Sequence, residues 1–105
     1  MLNQAILVGR LAEDPKVITN ENGKKFSNIT IGVPRNFKNE DGVYETDFIE
    51  ITLWNGIAEN TAQYCKKGDI VGVKGRLERL GVELRVVADK ITFLSSNKGE
   101  NEYED

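Results

Sequence analysis

Hydrophobic and polar residues alternate with a period of two along several short stretches of the chain. In residues 46–54, TDFIEITLW, three aliphatic side chains share one face, while Phe48 and Trp54, the only tryptophan, lie on the other. Residues 26–33, FSNITIGV, alternate in the same way. Such alternation is typical of half-buried antiparallel strands. It predicts two strands, the later of which carries large aromatic rings on its polar face.

The rest of the pattern predicts three more strands and one helix. Residues 5–11, AILVGRL, form an apolar run that is prone to β structure. Residues 57–65, IAENTAQYC, have their apolar side chains at helical spacing. The last two strands are expected within residues 69–78 and 83–94, on either side of a turn near Gly81.

Turn-forming residues predict where several of these elements end. Pro34 is expected to end the second strand, because proline cannot donate a backbone hydrogen bond. Residues 34–45 contain the pair Asp41-Gly42 and predict a long hairpin loop or a protruding ribbon. Residues 66–68, KKG, are expected to close the helix with cations in its last turn and a capping glycine.

The order of the elements predicts the fold class. One short helix between the third and fourth of five antiparallel strands is the order of the all-β oligonucleotide-binding barrel, or OB fold. Glycines inside the strands suit a tightly coiled barrel, because they relieve crowding where strands bend. We expect residues 1–94 to form this domain and residues 95–105 to form an acidic flexible tail. The glycines inside the predicted strands are Gly9, Gly32, Gly72 and Gly75.

Length and charge are consistent with one small domain of balanced charge. The chain has 105 residues, which is enough for a single modest core. Its formal charge of −3 comes from the last nine residues, NKGENEYED, since the first 96 hold 13 basic and 13 acidic side chains. Nucleic-acid-binding domains are usually basic, so any such function must depend on where the cations lie.

Several kinds of chemistry are excluded by the residues that the chain lacks. Histidine is absent and Cys65 is the only cysteine, which rules out an intrachain disulfide and a zinc site of the usual ligands. No glycine-rich phosphate loop or serine elbow occurs. We therefore expect no enzymatic activity and no cofactor. The single cysteine fits a reducing cytosol, and the apolar run AILV is too short for a signal peptide or a membrane span, so we expect a cytoplasmic protein.

The aromatic rings on the polar strand face need a partner. An exposed ring can pack beneath a loop, meet another subunit, or stack on a nucleic-acid base at roughly 1–3 kcal/mol per base. In the predicted ribbon, Arg35 and Lys38 alternate with Phe37 and Tyr44, a mixture that suits stacked bases with phosphates alongside. Two further cations lie on the non-core face of the fourth strand, namely Lys74 and Arg76.

Four separated motifs carry a family resemblance. They are MLNQAILVGRLAEDP (residues 1–15), ITIGVPRNF (29–37), DFIEITLWNGIAEN (47–60) and YCKKGDIVGVKGRLE (64–78). Together and in this order, over residues 1–94, they resemble the bacterial-type single-stranded DNA-binding proteins, the SSB family. The resemblance implies sequence-tolerant binding of single-stranded DNA in replication, recombination and repair. It also implies a homotetramer formed through first-strand edges and sheet packing, with a dimer as the alternative, contacts with replication and repair proteins, and a nucleoid-associated cytoplasmic location.

The resemblance also assigns residues to roles. Base stacking is implied for three aromatic residues, Phe37, Phe48 and Trp54. Phosphate contacts are implied for five cations, Arg35, Lys38, Lys67, Arg76 and Arg79. The position of Lys74 on the non-core face of the fourth strand adds it to the predicted phosphate contacts.

Three departures from the family pattern weaken parts of this prediction. Gln4 stands where relatives usually carry Lys or Arg, so one phosphate contact is expected to be missing. The turn at residues 79–85, RLGVELR, is short and lacks the stacking tryptophan of a longer basic hairpin. The acidic end lacks the terminal Pro-Phe tip through which the family recruits other proteins. We therefore expect a shorter DNA path and a weaker affinity.

Two other functions remain open on the sequence alone. One is a protein-interaction module similar to the primosomal relatives of the SSB family, for which the short turn and the balanced charge are the motivation. The other is a nuclease that uses the carboxylates of Glu13, Asp14 and Asp47, although Glu13-Asp14-Pro15 also has the composition of an ordinary turn.

Overall fold

The computed structural model describes residues 1–95, which form six β-strands and one α-helix. The strands are β1 (Ala5–Leu11), β2 (Ile18–Thr19), β3 (Lys25–Lys38), β4 (Tyr44–Trp54), β5 (Ile70–Leu80) and β6 (Glu83–Ser95). Helix α1 (Asn55–Tyr64) lies between β4 and β5 and packs against β3, β4 and β6. The five long strands close into a barrel, which confirms the predicted OB fold with its helix after the third long strand.

The barrel consists of two sheets that meet along two short seams. Strands β3 and β4 pair as a long antiparallel hairpin, with β2 at its edge; β1, β5 and β6 form the second antiparallel group. At one seam β4 and β6 pair in parallel, and at the other β1 and β3 pair antiparallel. Each seam contains two register pairs: Ile51 with Val86 and Thr52 with Val87, then Arg10 with Gly32 and Leu11 with Ile31.

The core is built from alternate residues of the long strands. Their side chains point inward and are almost fully covered, which stabilises the fold by roughly 1.5–3 kcal/mol for each large aliphatic group. Helix α1 closes one end of the core with Ala58 and Thr61, both buried. The fully buried aliphatic residues are Leu11, Ile29, Ile31, Ile51, Leu53, Val71 and Val73.

Two of the predicted strand glycines are required by close approach of another strand. A Cβ atom on Gly9 would lie 2.8 Å from the carbonyl oxygen of Gly32. A Cβ atom on Gly75 would collide with the carbonyl group of Val87. Both contacts are with backbone, which cannot rotate away, so the prediction that strand glycines relieve crowding is confirmed at these two positions.

The prediction that Pro34 ends the second strand is wrong. Strand β3 continues to Lys38, and Pro34 is the register partner of Thr46 at the beginning of an irregular stretch. A proline is tolerated where a strand bulges, because the ladder there does not need its missing N–H group. The strand therefore bends and continues as one arm of a ribbon, in agreement with the prediction made for residues 34–45.

The predicted ending of the helix is also wrong. No basic residue lies in the last turn of α1, which is capped by Cys65 in an extended conformation. Residues 66–68 form a separate turn, in which the carboxylate of Asp69 accepts a hydrogen bond from the backbone N–H of Lys66 at 2.9 Å. Gly68 has a φ of 92°, so the glycine serves this turn instead of the helix end.

The end of the described chain bears on the predicted tail. Ser95 is the last residue of β6, and the rest of the predicted tail lies outside the described residues. Among residues 1–95, no helix combines the length and the apolar character needed to cross a membrane.

Candidate nucleic-acid interface

Phe48 projects from the outer face of the β3–β4 sheet with 68% of its surface exposed. It is the register partner of Gly32, and a Cβ atom there would lie 3.3 Å from the Cε1 atom of the ring. The missing side chain at Gly32 thus leaves room for one edge of the ring to rest beside the strand. The remainder of the ring faces solvent, as base stacking requires.

Trp54 lies at the other end of the same face and is less accessible. Alternation along β4 puts it on the side of Phe48, as the sequence predicts. Its ring is half-buried, and its centroid is 5.5 Å from that of Phe26, its register partner on β3, with the two planes 45° apart. Phe26 therefore covers part of the indole, whereas the Phe48 ring is largely uncovered.

A polar group occupies the face between these two rings. Nη1 of Arg85 donates a hydrogen bond to the hydroxyl oxygen of Thr52 at 3.3 Å, and that hydroxyl donates to Oδ1 of Asn28 at 2.9 Å. The side chain of Arg85 is only 26% exposed. Sequence reasoning did not select Arg85, because its position here depends on the parallel seam between β4 and β6, for which the chain carries no local signal.

Two grooves, each with a volume of about 580 Å³, flank Phe48. The first runs between β1 and β3, and its lining includes Arg10 and Lys67. The second runs between β4 and the β5–β6 hairpin, and its lining includes Thr52 and Arg85. Volumes of this size are typical of ligand pockets. The exposed ring is therefore bordered on both sides by a groove that contains a cation.

The ribbon formed by the ends of β3 and β4 holds Arg35 between two carboxylates. Nε of Arg35 donates to Asp47 at 3.1 Å, Nη2 donates to Oδ1 of Asp47 at 3.0 Å, and Nη1 lies 3.0 Å from Oε2 of Glu45. The guanidinium carbon lies 6.0 Å from the centre of the Phe37 ring. The structure thus brings the predicted pair Arg35 and Phe37 together.

The carboxylate contacts change the ionisation of this group. The hydrogen bond to Asp47, helped by the negative charges of Asp47 and Glu45, raises the pKa of Arg35 above its ordinary value. The same hydrogen bond, helped by the positive charge of Arg35, holds the pKa of Asp47 below its ordinary value despite some desolvation. Both groups are therefore charged at neutral pH.

The two faces of the ribbon carry different residues. Alternation along β4 places Tyr44 on the face of Phe48, and Glu45 and Asp47 on the opposite face. Nζ of Lys38 lies 5.8 Å from the centre of the Tyr44 ring, its register partner. Tyr44 and Lys38 therefore lie on one face of the ribbon. Arg35 and its carboxylate partners lie on the other.

Three other predicted cations lie away from Phe48. Lys74 and Arg76 belong to β5 and do not line either groove around Phe48. Arg76 is paired with Asp89 at 2.7 Å and with Glu78 at 3.1 Å. Arg79 donates from Nε to the carbonyl oxygen of Gly81 at 2.9 Å, within the turn of the β5–β6 hairpin.

The groups considered for catalysis do not form a reactive centre. Within the described range 1–95, no three Asp, Glu or Cys side chains are placed to hold a metal ion together. Asp14 accepts a hydrogen bond from the backbone N–H of Lys67 at 2.7 Å, while Asp47 is engaged by Arg35. Burial, and secondly the charge of Asp69, raises the pKa of the Cys65 thiol to about 11, which keeps it protonated.

An OB barrel whose β3–β4 face exposes aromatic rings beside cations belongs to the class of single-stranded nucleic-acid-binding folds. The chain belongs, within that class, to the Single-strand binding protein family, whose profile matches residues 2–94. This confirms the resemblance inferred from the motifs. Members of the family are DNA-binding proteins and not enzymes, which confirms the prediction that this protein is not an enzyme.

Individual relatives share about two residues in five with the chain. It is 41% identical to single-stranded DNA-binding protein B of Bacillus subtilis (strain 168) over 103 residues, covering 90% of this chain and 91% of that protein. It is 42% identical over 105 residues to the single-stranded DNA-binding protein of Oceanobacillus iheyensis, covering 91% of this chain but 65% of the relative. Single-stranded DNA-binding protein 1 of Staphylococcus aureus (strain MSSA476) is 39% identical over 114 residues, covering 100% of this chain and 73% of that protein.

Proposed function

We propose that this protein binds single-stranded DNA with little regard to its base sequence. In this proposal the DNA crosses the outer face of the β3–β4 sheet. The exposed ring of Phe48, bordered by two grooves that each contain a cation, is the observation that carries the proposal. Every base has a flat π face, so a ring on a sheet accepts any base. Residues 1–94 are the binding domain in this proposal.

The predicted residues contribute unequally to this binding. Phe48 is the main stacking ring and Trp54 adds to it on the same face, while Phe37, beside Arg35, is an additional ring where the DNA continues from the sheet onto the ribbon. Lys67, beside Phe48, and Lys38, on the ribbon, make no ion pair within residues 1–95, so both are available to phosphates. Arg85 is added because it lies between the rings, and its ion pair with the exposed carboxylate of Glu83, at 3.6 Å, is longer than those of Arg35 and Arg76. We assign smaller contributions to the predicted cations that lie away from Phe48 or already contact other groups. These are Arg35, Lys74, Arg76 and Arg79.

We further propose that the protein self-associates through β1. This strand pairs with β5 along one edge, but with β3 only at Arg10 and Leu11, which leaves the edge of residues 5–9 unpaired by β3. Ile6 and Val8 are 70% and 53% exposed on its outer face. A second copy can pair with the free edge around a two-fold axis, and packing of the aliphatic faces then gives the homotetramer, with the dimer as the smaller assembly.

The cellular role follows from this binding and from the family. We propose that the protein covers single strands exposed during replication, recombination and repair. A cytoplasmic location near the nucleoid and contacts with other replication and repair proteins belong to the same proposal.

The proposal is tested by titrating a labelled oligothymidine with the protein and following fluorescence anisotropy, with a duplex of equal length as the control. The single strand is expected to bind more tightly than the duplex. Its affinity should fall with salt, with a logarithmic slope of about −0.7 for each phosphate contacted. Equal binding of both DNA forms, or an affinity that ignores salt, would contradict the proposal, and weak binding of both forms would favour a protein-interaction module.

A further inference from the structure

The guanidinium group of Arg35 is occupied in the free protein. Asp47 accepts hydrogen bonds from its Nε and Nη2 atoms in the two-pronged geometry with which arginine also binds phosphate. Glu45 lies 3.0 Å from the remaining terminal nitrogen. A phosphate can therefore bind the two-pronged Nε–Nη2 edge of Arg35 only by replacing Asp47.

The carboxylates that hold Arg35 belong to an acidic ribbon. Between residues 35 and 47 the chain has two cations and four carboxylates, namely Arg35 and Lys38 against Glu40, Asp41, Glu45 and Asp47. The side chains of Arg35, Glu45 and Asp47 are each between 40% and 48% exposed. Ion pairs this exposed are weak, so a polyanion that gains other contacts can displace them.

We propose that Asp47 and Glu45 act as intramolecular competitors for the phosphate-binding group of Arg35, so that these two carboxylates limit the affinity for DNA. The inference rests on the proposed function. In the free protein the carboxylates satisfy the guanidinium; in the complex a phosphate takes their place and they return to solvent.

This competition also affects the dependence of binding on salt. A phosphate neutralised by a free cation releases its condensed counterions. When the cation comes from an ion pair, the displaced carboxylate attracts a cation from solution and offsets part of that release. The competitors therefore make the salt dependence shallower than the number of phosphate contacts would give.

The test compares Asp47→Asn with Asp41→Asn by anisotropy titration of oligothymidine at several salt concentrations. Asp41 lies on the same ribbon, and in residues 1–95 its carboxylate makes no ion pair, so its substitution removes an equal charge without releasing Arg35. We expect Asp47→Asn to bind about fivefold more tightly than the unsubstituted protein, equivalent to roughly 1 kcal/mol. Its salt slope should steepen by about 0.7, while Asp41→Asn changes both quantities much less.

A second arm asks whether Asp47 acts through Arg35. The gain from Asp47→Asn is measured again in a chain that carries Arg35→Gln, where it should shrink to the gain given by Asp41→Asn. An undiminished gain would overturn the proposal, because general charge repulsion would then explain it. So would a loss of affinity in Asp47→Asn, because the ion pair would then position the ribbon for binding.

Oligothymidine binding by the unsubstituted protein distinguishes a failure of this inference from a failure of the proposed function on which it rests. If that protein does not bind oligothymidine in the same titrations, the proposed function fails. If it binds and Asp47→Asn matches Asp41→Asn, only the competition is overturned. Far-ultraviolet circular dichroism of each variant checks that the barrel is intact, which is expected because these side chains are exposed.

Discussion

The outer faces of the two sheets both expose apolar groups and cations, yet they suit different partners. The β3–β4 face presents the flat ring of Phe48, with Lys67 and Arg85 in the grooves beside it. The β1–β5–β6 face presents branched aliphatic side chains, and its Arg76 is paired with two carboxylates. Apolar exposure alone therefore does not identify a DNA site; the shape of the exposed side chains, a flat ring against branched aliphatic groups, distinguishes the two faces.

The largest expected effect is the loss of the exposed ring from the β3–β4 face. Phe48→Ala should weaken oligothymidine binding about tenfold to hundredfold, because one stacked base is lost. The matched control is Tyr64→Ala, which removes a comparably exposed ring (64% against 68%) from helix α1 and should leave the affinity unchanged. Similar losses in both variants, measured by anisotropy, would show that the loss is not specific to the β3–β4 face.

The next largest effect is expected on the β1–β5–β6 face. Val8→Asp places a charge on the surface proposed to meet a second copy. Because Val8 also lines the groove between β1 and β3, the measurement is the sedimentation coefficient of the protein without DNA, which should fall toward that of a smaller assembly. Ile18→Asp is the control, since Ile18 is also 53% exposed but lies on β2, at the edge of the other sheet. An unchanged sedimentation coefficient in Val8→Asp would show that this face does not mediate assembly.

A smaller difference is expected between cations of the two faces. Lys67→Gln should reduce the logarithmic salt slope of DNA binding by about 0.7, because Lys67 lines a groove beside Phe48 and is available to one phosphate. Arg76→Gln should leave the slope nearly unchanged, because Asp89 and Glu78 already neutralise Arg76. A larger change for Arg76 than for Lys67 would contradict the proposal, because it would indicate that DNA contacts the β1–β5–β6 face.

The smallest expected effect concerns the stability of the ribbon as a function of pH. Asp47 has a folded-state pKa below its ordinary value of about 3.9, so its contribution to stability is present above that value and is lost as pH falls through the folded-state pKa. The unsubstituted protein should therefore melt slightly above Asp47→Asn at neutral pH, and the difference should close in acid. Calorimetric melting of both proteins checks this; a gap that persists at low pH would contradict it.

Local patterns in the sequence account for most of the fold and part of the site. The period of two along residues 46–54 fixes side-chain direction, so it predicted both the inward aliphatic residues and the shared face of Phe48 and Trp54. The strand order predicted the barrel. The prediction that Pro34 ends the second strand was wrong, because the irregular pairing that tolerates this proline arises only when β3 pairs with β4.

The contacts that could not be predicted all depend on pairing between distant segments. Arg85 reaches Thr52 only because β6 lies beside β4, and no local pattern encodes that parallel contact. The pairing of Arg35 with Asp47 depends on the register of the ribbon, which the irregularity after Pro34 shifts. Sequence chemistry therefore selected residue types that suit the proposed site, while the register decides which of them are engaged by other side chains.

The two short seams of the barrel also affect how it forms and fluctuates. The two hairpins join consecutive long strands and contain ten and eleven register pairs, whereas each seam contains two, so the hairpins are expected to form first and the seams to close last. Amide hydrogens at the seams should accordingly exchange with solvent before those in the hairpin centres. We therefore expect any movement of the sheet that carries Phe48 against the sheet that carries Val8 to occur at these seams, while each sheet keeps its own ladder of hydrogen bonds.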